Sequence, residues 1–377
     1  MPQRRVNSTP RDTHLVELPD PVPPESRLDR FLLSPWARVL SPIATVYGEV
    51  ARWRRRRISA RAERLPVPVV SVGNLTVGGT GKTPVVEWVV RVLREVGRNP
   101  AILSRGYGKS RSVRPGVNGG ATEQAGNDEF QVLKANLSDV LHIQNPSRVA
   151  AGREAVRSGA DVLVLDDGFQ HVALHRDLDI VLLDAINPFG FGRLLPAGYL
   201  REPVDTLAVA DLFVLTRCTA CHPRKLATLR AFLLGRFPGI PIVEADFEPL
   251  VWSRVGPDTA PDEPASSWAG RDVVGFCGIG NPEGFRRELE RLGLHVLEWL
   301  PFPDHHGYTA EDVERIAQTA RERKVSAVVM TQKDAVKLGG MMPRDSVPWS
   351  FLRIACRVTR GEDQWRQLLS RAVEEFV

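Results

Sequence analysis

The pattern of apolar and polar positions along this chain alternates between two periods. Short runs of consecutive apolar residues, bounded by Gly, Pro or Asp, are typical of buried strands and occur at 69–72, 100–103, 162–165, 180–183, 212–215, 273–276, 296–300 and 326–330. Segments with helical spacing of apolar residues fall between many of them, at 87–95, 124–135, 227–237, 282–292 and 310–324. This alternation predicts an α/β protein whose mostly parallel sheet is flanked by helices.

Length and composition indicate more than one domain. The chain has 377 residues, of which 43% are hydrophobic and 25% charged, which is enough for a sizeable core and for two domains. A stretch rich in Pro, Asp and Ser at 257–267 predicts a loop or linker. We therefore expect a first domain over 63–255 and a second, smaller α/β lobe over 256–377.

The first 62 residues follow a different pattern. Residues 1–26 contain many prolines and charges without a periodic apolar face, which predicts a disordered tail. Residues 27–62 are apolar and aromatic and end in a basic cluster around Trp53, made of Arg52, Arg54, Arg55, Arg56 and Arg57. Because prolines and charges interrupt the apolar stretch, it predicts an amphipathic helix lying at a membrane interface rather than a spanning helix. A core-packed helix with a solvated arginine face is the alternative.

Charge and cysteine content narrow the class of protein further. The net charge of +5 is modest, and no set of aromatic residues interleaved with basic ones is present beyond Trp53, so we expect no nucleic-acid partner. Four cysteines do not make a disulfide framework in a chain of this length. The N-terminus has no compact apolar stretch followed by a small-residue cleavage site, so we expect the protein to remain on the cytoplasmic side.

A glycine-rich segment follows the first predicted strand. Residues 72–84 read VGNLTVGGTGKTP and precede a helical pattern, the order typical of a phosphate-binding P-loop. Glycines let backbone N–H groups converge on phosphates, Lys82 would neutralise β- and γ-phosphate charge, and the Thr83 hydroxyl would bind Mg²⁺. The usual pattern has glycine where this chain has Thr76, so we interpret the segment as a variant P-loop, with a glycine-rich turn and a chance lysine as the alternative. The residues expected around ATP are Thr76, Gly78, Gly79, Thr80, Gly81, Lys82 and Thr83.

A second candidate site lies where an apolar strand ends in acidic residues. Residues 162–171 read VLVLDDGFQH, so Asp166 and Asp167 should lie at the carboxyl edge of the sheet, beside the P-loop. There one carboxylate would bind Mg²⁺ directly and the other through water. A simple turn is the alternative for this segment. His171 would contact phosphate or metal-bound water, or only complete the turn, and Asp184 at the end of the next strand competes for the acidic role.

The sequence Cys218-Thr-Ala-Cys221-His222 has the form of a c-type haem attachment site. Such attachment belongs outside the cytoplasm, and the motif directly follows the apolar run at 212–215. Metal or redox chemistry is a second reading. We interpret the motif as a chance occurrence in a loop.

Taken together, the motifs resemble those of the tetraacyldisaccharide 4′-kinases, inner-membrane-associated enzymes of lipid A synthesis in Gram-negative bacteria. The resemblance runs from about residue 66 to about 340. It rests on the P-loop and on SRGYG at 104–108, Asp-Glu at 128–129, DDGFQH at 166–171, RLLPAG at 193–198, LREP at 200–203, GIGNP at 278–282, DHH at 304–306 and KDAVKL at 333–338. Threonine at position 76 and a basic amphipathic N-terminal segment also fit this family. The resemblance implies a P-loop NTPase-like fold.

The resemblance also implies a reaction and its catalytic pair. ATP and Mg²⁺ would serve to phosphorylate the 4′-hydroxyl of a tetraacyldisaccharide 1-phosphate, giving lipid IVA at the cytoplasmic face of the inner membrane. The family motifs match Asp128 as the base and His305 as its partner, and Glu129 is expected among the Mg²⁺ ligands with Thr83, Asp166 and Asp167. Read alone, Asp128 would pass for a helix N-cap. We expect a monomer.

Two arginines and three departures from the family pattern bear on the substrate. Arg105 and Arg201 match family motifs and would neutralise the transferring phosphoryl group or a lipid phosphate, or else form structural ion pairs. The family usually has Glu, Pro and Asn where this chain has Gln332, Tyr199 and Phe191. These three differences would affect the pocket for the lipid substrate. The residues expected to carry out phosphoryl transfer match the family.

Two other functions remain open from the residues alone. A membrane-cycling P-loop ATPase would need the basic amphipathic segment and a nucleotide switch but no acceptor hydroxyl. A nucleic-acid-associated NTPase would use the arginine cluster, although the stacking aromatic residues expected for it are missing.

Overall fold

We analysed a computed structural model of the chain. The structure describes residues 27–105, 111–113, 128–255, 261–338, 341, 347–374 and 376. The expected tail at 1–26, residues 106–108 of the SRGYG motif and the first residues of the helix expected at 124–135 lie outside the described residues.

The described strands join in one continuous sheet. The strands are β1 (Val69–Asn74), β2 (Pro100–Ser104), β3 (Arg111–Val113), β4 (Leu141–Gln144), β5 (Val162–Asp166), β6 (Leu178–Asp184), β7 (Leu212–Thr216), β8 (Ile242–Arg254), β9 (Glu263–Pro264), β10 (Asp272–Cys277), β11 (His295–Pro301), β12 (Ala327–Thr331) and β13 (Trp349–Arg360). Their order is β11-β10-β12-β13-β8-β7-β6-β1-β5-β2-β4-β3, with β9 on the edge of β8. Only the β3–β4, β8–β9 and β8–β13 pairs among them are antiparallel, so the predicted mostly parallel sheet is confirmed.

The helices flank this sheet as predicted. They are α1 (Arg27–Leu33), α2 (Ser41–Ser59), α3 (Lys82–Glu95), α4 (Asp128–Asn136), α5 (Arg148–Arg157), α6 (Pro223–Arg236), α7 (Pro282–Arg291), α8 (Ala310–Arg323), α9 (Gln332–Leu338) and α10 (Glu362–Glu374). Local caps set their starts: the Asn281 side chain accepts from the Gly284 N–H at α7, and Thr309 and Asp312 form a capping box at α8.

The central strand β1 is fully buried because helices cover both faces of the sheet. Successive side chains of a strand point to opposite faces. Val70 and Val72 pack in the cluster that includes the α3 residues, whereas Val69 packs on the opposite face with the α5 residue Ala151. The carboxyl end of β1 is therefore held rigidly where the glycine-rich loop begins.

The last helix, α10, packs against the part of the sheet that contains β1. Strands β10–β12 have their own core with α8, but α10 inserts Trp365, Leu369 and Val373 into the core formed by β1 and α3. The long antiparallel pair β8–β13 carries the chain between the two halves. Residues 256–377 thus contribute to both cores, and the domain boundary near 256 stays a prediction.

Truncating Trp365 should destabilise this first core. Its side chain is fully buried, and its ring centroid lies 4.0 Å from that of Trp88 on α3. We expect Trp365→Ala to lower the free energy of unfolding by about 3–5 kcal/mol, as measured by urea denaturation. Trp53→Ala is the matched control, because that ring is 59% exposed, and it should change stability by no more than about 0.5 kcal/mol. A Trp365→Ala loss as small as that of the control would contradict the assignment of α10 to this core.

The N-terminal unit of α1, a 3₁₀ helix (Pro35–Leu40) and α2 carries an exposed apolar stripe. The stripe recurs every three or four residues and consists of Trp36, Val39, Ile43, Val46, Val50 and Trp53, each more than half exposed. Within the described part of the chain, no helix is long and apolar enough to cross a membrane.

The opposite side of α2 packs on the half of the sheet that contains β1, and Arg55 of the basic cluster is largely buried there. Gly48 allows Leu194 to approach closely, since a Cβ at this position would lie 2.6 Å from the Leu194 Cδ1 atom. The Arg55 side chain donates to Glu202 Oε2 at 2.6 Å and to the Phe169 carbonyl at 3.0 Å. Arg55 therefore anchors α2 to the fold, and the basic surface predicted for the cluster loses this one member.

Candidate active site

The glycine-rich loop joins the end of β1 to the start of α3. Gly78 and Gly81 have φ angles of 120° and 80°, a region that side chains rarely adopt. A Cβ at Gly81 would lie 1.8 Å from the Phe247 ring on β8, whereas Gly78 and Gly79 face open space. The loop therefore presents backbone toward open space at the N-terminus of α3, the arrangement that binds polyphosphates.

Lys82, the first residue of α3, points back across this loop. Its Nζ donates to Asn74 Oδ1 at 3.2 Å and lies 3.6 Å from Asp167 Oδ1. Asn74 in turn donates through Nδ2 to the Thr76 carbonyl at 2.8 Å. Asn74, the last residue of β1, thus supports both the loop and the lysine. The residue lies within the P-loop motif, but the motif alone does not predict this supporting role.

Asp167 lies beside Lys82 in a left-handed conformation, with φ 54°. One nitrogen of Arg201, Nη1, donates to both of its carboxylate oxygens, at 3.1 and 2.9 Å. Burial would raise the pKa of Asp167, but the charges of Lys82 and Arg201 outweigh burial and hold the pKa below its usual value. Asp167 is therefore ionised at neutral pH, and Arg201 forms an ion pair within the site.

Asp166 ends β5 and is almost fully buried. The Ser104 hydroxyl donates to Oδ2 at 3.4 Å, and Oδ1 has no hydrogen-bond partner among the described residues. Burial, together with the nearby carboxylates of Glu129 and Asp167, raises the pKa of Asp166 to about 7. A bound cation is the natural partner for such an oxygen, because it would offset both burial and like-charge repulsion.

The oxygen-bearing side chains near the loop suit Mg²⁺ better than a metal that is coordinated by protein side chains alone. Within the described part of the chain, no three His, Cys, Asp or Glu side chains gather as a complete metal site. Mg²⁺ in nucleotide sites usually takes one or two carboxylates and fills its remaining positions with phosphate oxygens and water. Asp166 and Asp167 supply such carboxylates, and Thr83 lies buried at the N-terminus of α3.

Glu129 on α4 faces the same region from the other side. Its Oε1 accepts from Lys333 Nζ on α9 at 3.0 Å. Burial would raise the pKa of Glu129, but Lys333 and Lys82 outweigh burial and lower it. Glu129 is therefore a second anionic group near Lys82, and α4 is linked to α9 at this point.

Asp128 precedes Glu129 and meets residues from the second half of the sheet. His305 Nδ1 lies 3.1 Å from Asp128 Oδ2, and Lys337 Nζ lies 3.0 Å from the same oxygen. His305 has a φ angle of 58°, and its ring is 69% exposed. The structure thus brings together the two residues, 177 positions apart, that the family resemblance paired.

Two other predicted residues lie beside the site without a resolved role. The backbone N–H of His171 donates to the Gly168 carbonyl at 2.8 Å, which closes the turn after Asp167. Burial, with Arg148 and Arg176 nearby, lowers the pKa of His171 to about 4, so the ring is neutral at pH 7. The Arg105 carbonyl accepts from Gln144 Nε2 at 3.4 Å. Contact of either side chain with phosphate stays a prediction.

Arg148 is a further residue that the sequence analysis did not single out. It is buried on α5 and donates to the carbonyls of Asn145 at 3.0 Å and Asp166 at 3.4 Å. Its guanidinium therefore fixes the backbone at the end of β5, from which the Asp166 side chain projects.

The departures from the family pattern take part in packing contacts. Gln332 and Asn136 exchange hydrogen bonds of 2.7 and 3.3 Å and so join α9 to α4. The ring of Phe191 lies 5.6 Å from that of Tyr199, whose hydroxyl donates to Asp29 on α1 at 2.8 Å. Gln332 therefore joins α9 to α4, and Tyr199 joins α1 to the loop that precedes Arg201.

The Cys-x-x-Cys-His motif is structural. Cys218 and Cys221 are buried free thiols, and Cys221 Sγ donates to the Ala185 carbonyl at 3.2 Å. The His222 ring accepts from the Arg224 N–H and caps α6. Burial raises the pKa of Cys218 to about 12, so this thiol is neutral and unreactive. The competing acid Asp184 pairs with Arg217 instead of facing the loop.

Comparison with known proteins identifies the family. The model of the family described as tetraacyldisaccharide-1-P 4′-kinase matches residues 36–374. A tetraacyldisaccharide 4′-kinase of Syntrophus aciditrophicus is 38% identical over 355 residues, covering 89% of this chain and 92% of that protein. One from Syntrophobacter fumaroxidans is 44% identical over 302 residues, covering 77% and 76%.

A solved structure agrees with these relatives. The crystal structure of LpxK from Aquifex aeolicus in complex with ATP has a TM-score of 0.71 and 29% identity, covering 89% of this chain and 99% of that one. The match extends over both halves of the sheet and confirms the expected P-loop NTPase-like architecture. The chain belongs to the tetraacyldisaccharide-1-P 4′-kinase family.

Proposed function

We propose that this kinase transfers the γ-phosphoryl group of ATP to the 4′-hydroxyl of tetraacyldisaccharide 1-phosphate and forms lipid IVA. The observation that carries the proposal is the meeting of two sets of residues. The loop, Lys82 and Asp167 lie at the carboxyl edge of the sheet. Asp128 and His305 lie beside them, linked through Glu129, whose pKa responds to Lys82. One set suits a nucleotide and the other an acceptor hydroxyl.

ATP would bind along the loop from Thr76 to Thr83. The backbone N–H groups of Gly78, Gly79, Thr80 and Gly81 would hold the phosphate oxygens, and Lys82 would move its charge from Asn74 and Asp167 onto the β- and γ-phosphates. The relative from Aquifex aeolicus that binds ATP shares this architecture.

Mg²⁺ would be held by Thr83, Asp166 and Asp167, with Glu129 close by. A bound Mg²⁺ ion would neutralise negative charge on the β- and γ-phosphate oxygens. The buried Asp166 oxygen without a hydrogen-bond partner supports this assignment. Arg201 keeps Asp167 ionised and oriented, and so would act on the metal ligand rather than on the substrate.

Asp128 would act as the general base. As the acceptor oxygen forms its bond to the γ-phosphorus, the hydroxyl proton passes to the Asp128 carboxylate and the bond to the departing ADP oxygen breaks. His305, 3.1 Å from Asp128 Oδ2, would orient the carboxylate. The chain supplies position and charge, which is most of what phosphoryl transfer requires.

Labelled γ-phosphate tests this function directly. Purified protein with Mg-ATP and tetraacyldisaccharide 1-phosphate in detergent should produce labelled lipid, at a rate that depends on the acceptor concentration. Release of free phosphate at the same rate without the lipid would refute the kinase proposal and favour the membrane-cycling ATPase.

We further propose that α2 lies on the cytoplasmic face of the inner membrane. Its exposed apolar stripe would enter the headgroup boundary, and the exposed arginines of the cluster would contact anionic headgroups. The helix rests on residues of the site, since the Tyr47 hydroxyl donates to the Arg201 carbonyl at 3.0 Å. Membrane contact would therefore bring the site to the surface that contains its lipid substrate.

Charge placed in the apolar stripe should weaken this membrane contact. We expect the double variant Val46→Asp, Val50→Asp to bind anionic phospholipid vesicles at least about tenfold more weakly in a flotation assay, because burying an aliphatic side chain contributes about 1.5–3 kcal/mol. Val209→Asp, at a valine 51% exposed elsewhere on the surface, is the control and should bind as the unmodified protein does. Equal loss in both variants would contradict a role of the stripe.

A further inference from the structure

Helix α9 places a lysine directly against the proposed base. Lys337 is nearly buried, with 10% of its side chain exposed. Its Nζ lies 3.0 Å from Asp128 Oδ2, 3.5 Å from the Gly278 carbonyl and 3.8 Å from Asp334 Oδ1. A lysine held by three oxygens at a buried position is fixed in place, unlike a mobile surface lysine.

The support beneath Lys337 is rigid. Asp334, one turn earlier on α9, is fully buried. Its Oδ1 accepts from the Gly278 N–H and the Tyr308 hydroxyl, both at 3.0 Å, and its Oδ2 accepts from the Thr331 hydroxyl at 2.6 Å. These bonds fix α9 to the ends of β10 and β12 and so fix the position from which Lys337 reaches Asp128.

Lys337 and His305 meet the same oxygen of the base. Both polar contacts of Asp128 within the described residues fall on Oδ2. A carboxylate held on one oxygen by two donors has a fixed plane, with its other oxygen directed away from them. Oδ1 is therefore the oxygen placed to accept a proton.

Lys333 and Lys337 lie on the same face of α9 and contact different residues of α4. Lys333 binds Glu129 at 3.0 Å, and Lys337, one turn later, binds Asp128 at the same distance. Residues four apart on a helix lie on the same face, so α9 holds two consecutive acidic residues of α4 separately. Of these two lysines, Lys337 is the one that contacts the proposed base.

We propose that Lys337 is a positioning residue that, together with His305, holds Asp128 by Oδ2 and presents Oδ1 to the acceptor hydroxyl. The inference rests on the proposed function of Asp128. In the transfer step the hydroxyl proton goes to Oδ1 as the new oxygen–phosphorus bond forms and the bond to ADP breaks, and Lys337 takes no part in the proton transfer. Lys337 thus acts on orientation and touches neither substrate.

The test compares Lys337→Met, Lys337→Gln and Lys337→Arg in steady-state transfer with γ-labelled ATP. We expect the methionine variant to lower kcat about 10- to 100-fold with the KM for ATP within twofold of the unmodified protein. The arginine variant, which keeps a charged donor, should recover part of this loss. Glutamine keeps a donor without the charge and replaces methionine in the comparison should the latter fail to fold. Lys225→Met on α6 is the control and should leave kcat unchanged.

A double-mutant cycle separates positioning of the base from an independent role. In the Asp128→Asn background, adding Lys337→Met should cost less than twofold further, because Lys337 acts through Asp128. A further loss equal to that in the unmodified protein, or a full kcat in Lys337→Met alone, would overturn the inference. Failure of the proposed function gives a different result, since Asp128→Asn itself would then keep its activity or the lipid would stay unlabelled.

Discussion

Asp128→Asn is expected to lower kcat about 10²- to 10⁴-fold while leaving ATP binding unchanged. The amide has the shape of the carboxylate but does not accept the proton of the 4′-hydroxyl, and general-base catalysis typically contributes a factor of this size. Asp128 contacts His305 and Lys337 rather than the glycine-rich loop, so nucleotide affinity should be kept. The measurements are steady-state transfer of labelled γ-phosphate to the lipid and calorimetric titration with ATP.

Asp139→Asn makes the same chemical change at a different site and serves as the control. Asp139 is 57% exposed and pairs with Arg94, so its replacement should leave kcat within about twofold. Both variants should unfold in a single cooperative transition above the assay temperature. An Asp128→Asn enzyme that transfers phosphate at a rate close to that of Asp139→Asn would remove Asp128 from the role of base.

Lys82→Met should reduce kcat/KM for ATP about 10²- to 10³-fold, a typical cost of removing one preorganised donor to developing charge. Methionine is one heavy atom shorter and otherwise keeps the unbranched shape of the side chain, so the change removes mainly the charged amine. The lysine charge would lie on the β- and γ-phosphates. Of the two cations beside Asp167, Lys82 and Arg201, the substitution leaves only Arg201. The same transfer assay and a titration with ATP measure the effect.

The two substitutions should differ in which step they impair. Lys82→Met weakens both nucleotide binding and transfer, whereas Asp128→Asn affects transfer alone. Lys225→Met, on α6, is the matched control and should bind ATP normally. Normal ATP affinity together with normal transfer in Lys82→Met would mean that the loop does not bind the phosphates.

The secondary structure around the candidate site agrees with what the local sequence predicts. The order of a buried strand, glycines, Lys82 and a helix is set within a few residues, and the acidic end of β5 likewise follows from one apolar run. Backbone conformations such as φ 80° at Gly81 are local properties that glycine itself permits. The alternation of strands and helices was readable for the same reason.

Contacts between residues that are far apart in the chain could not be predicted from the pattern of apolar and polar positions. Asp128, read alone, resembled an N-cap, and Lys337 had no assigned role. Their contact depends on the sheet order, which brings α9 of the second half beside α4 of the first. Arg55 gives a second example: the basic cluster was visible in the sequence, but the packing of α2 on the sheet decided that Arg55 turns inward to Glu202.

The sequence by itself determined the strand–loop–helix cradle and the acidic strand end, because short-range sterics and hydrophobic periodicity fix such elements. The tertiary structure alone decided which oxygen of Asp128 is held, which arginines remain at the surface and which core receives α10. Those outcomes depend on packing between segments as far as 275 residues apart. The positions of single charges there follow from burial and neighbouring groups that no local pattern records.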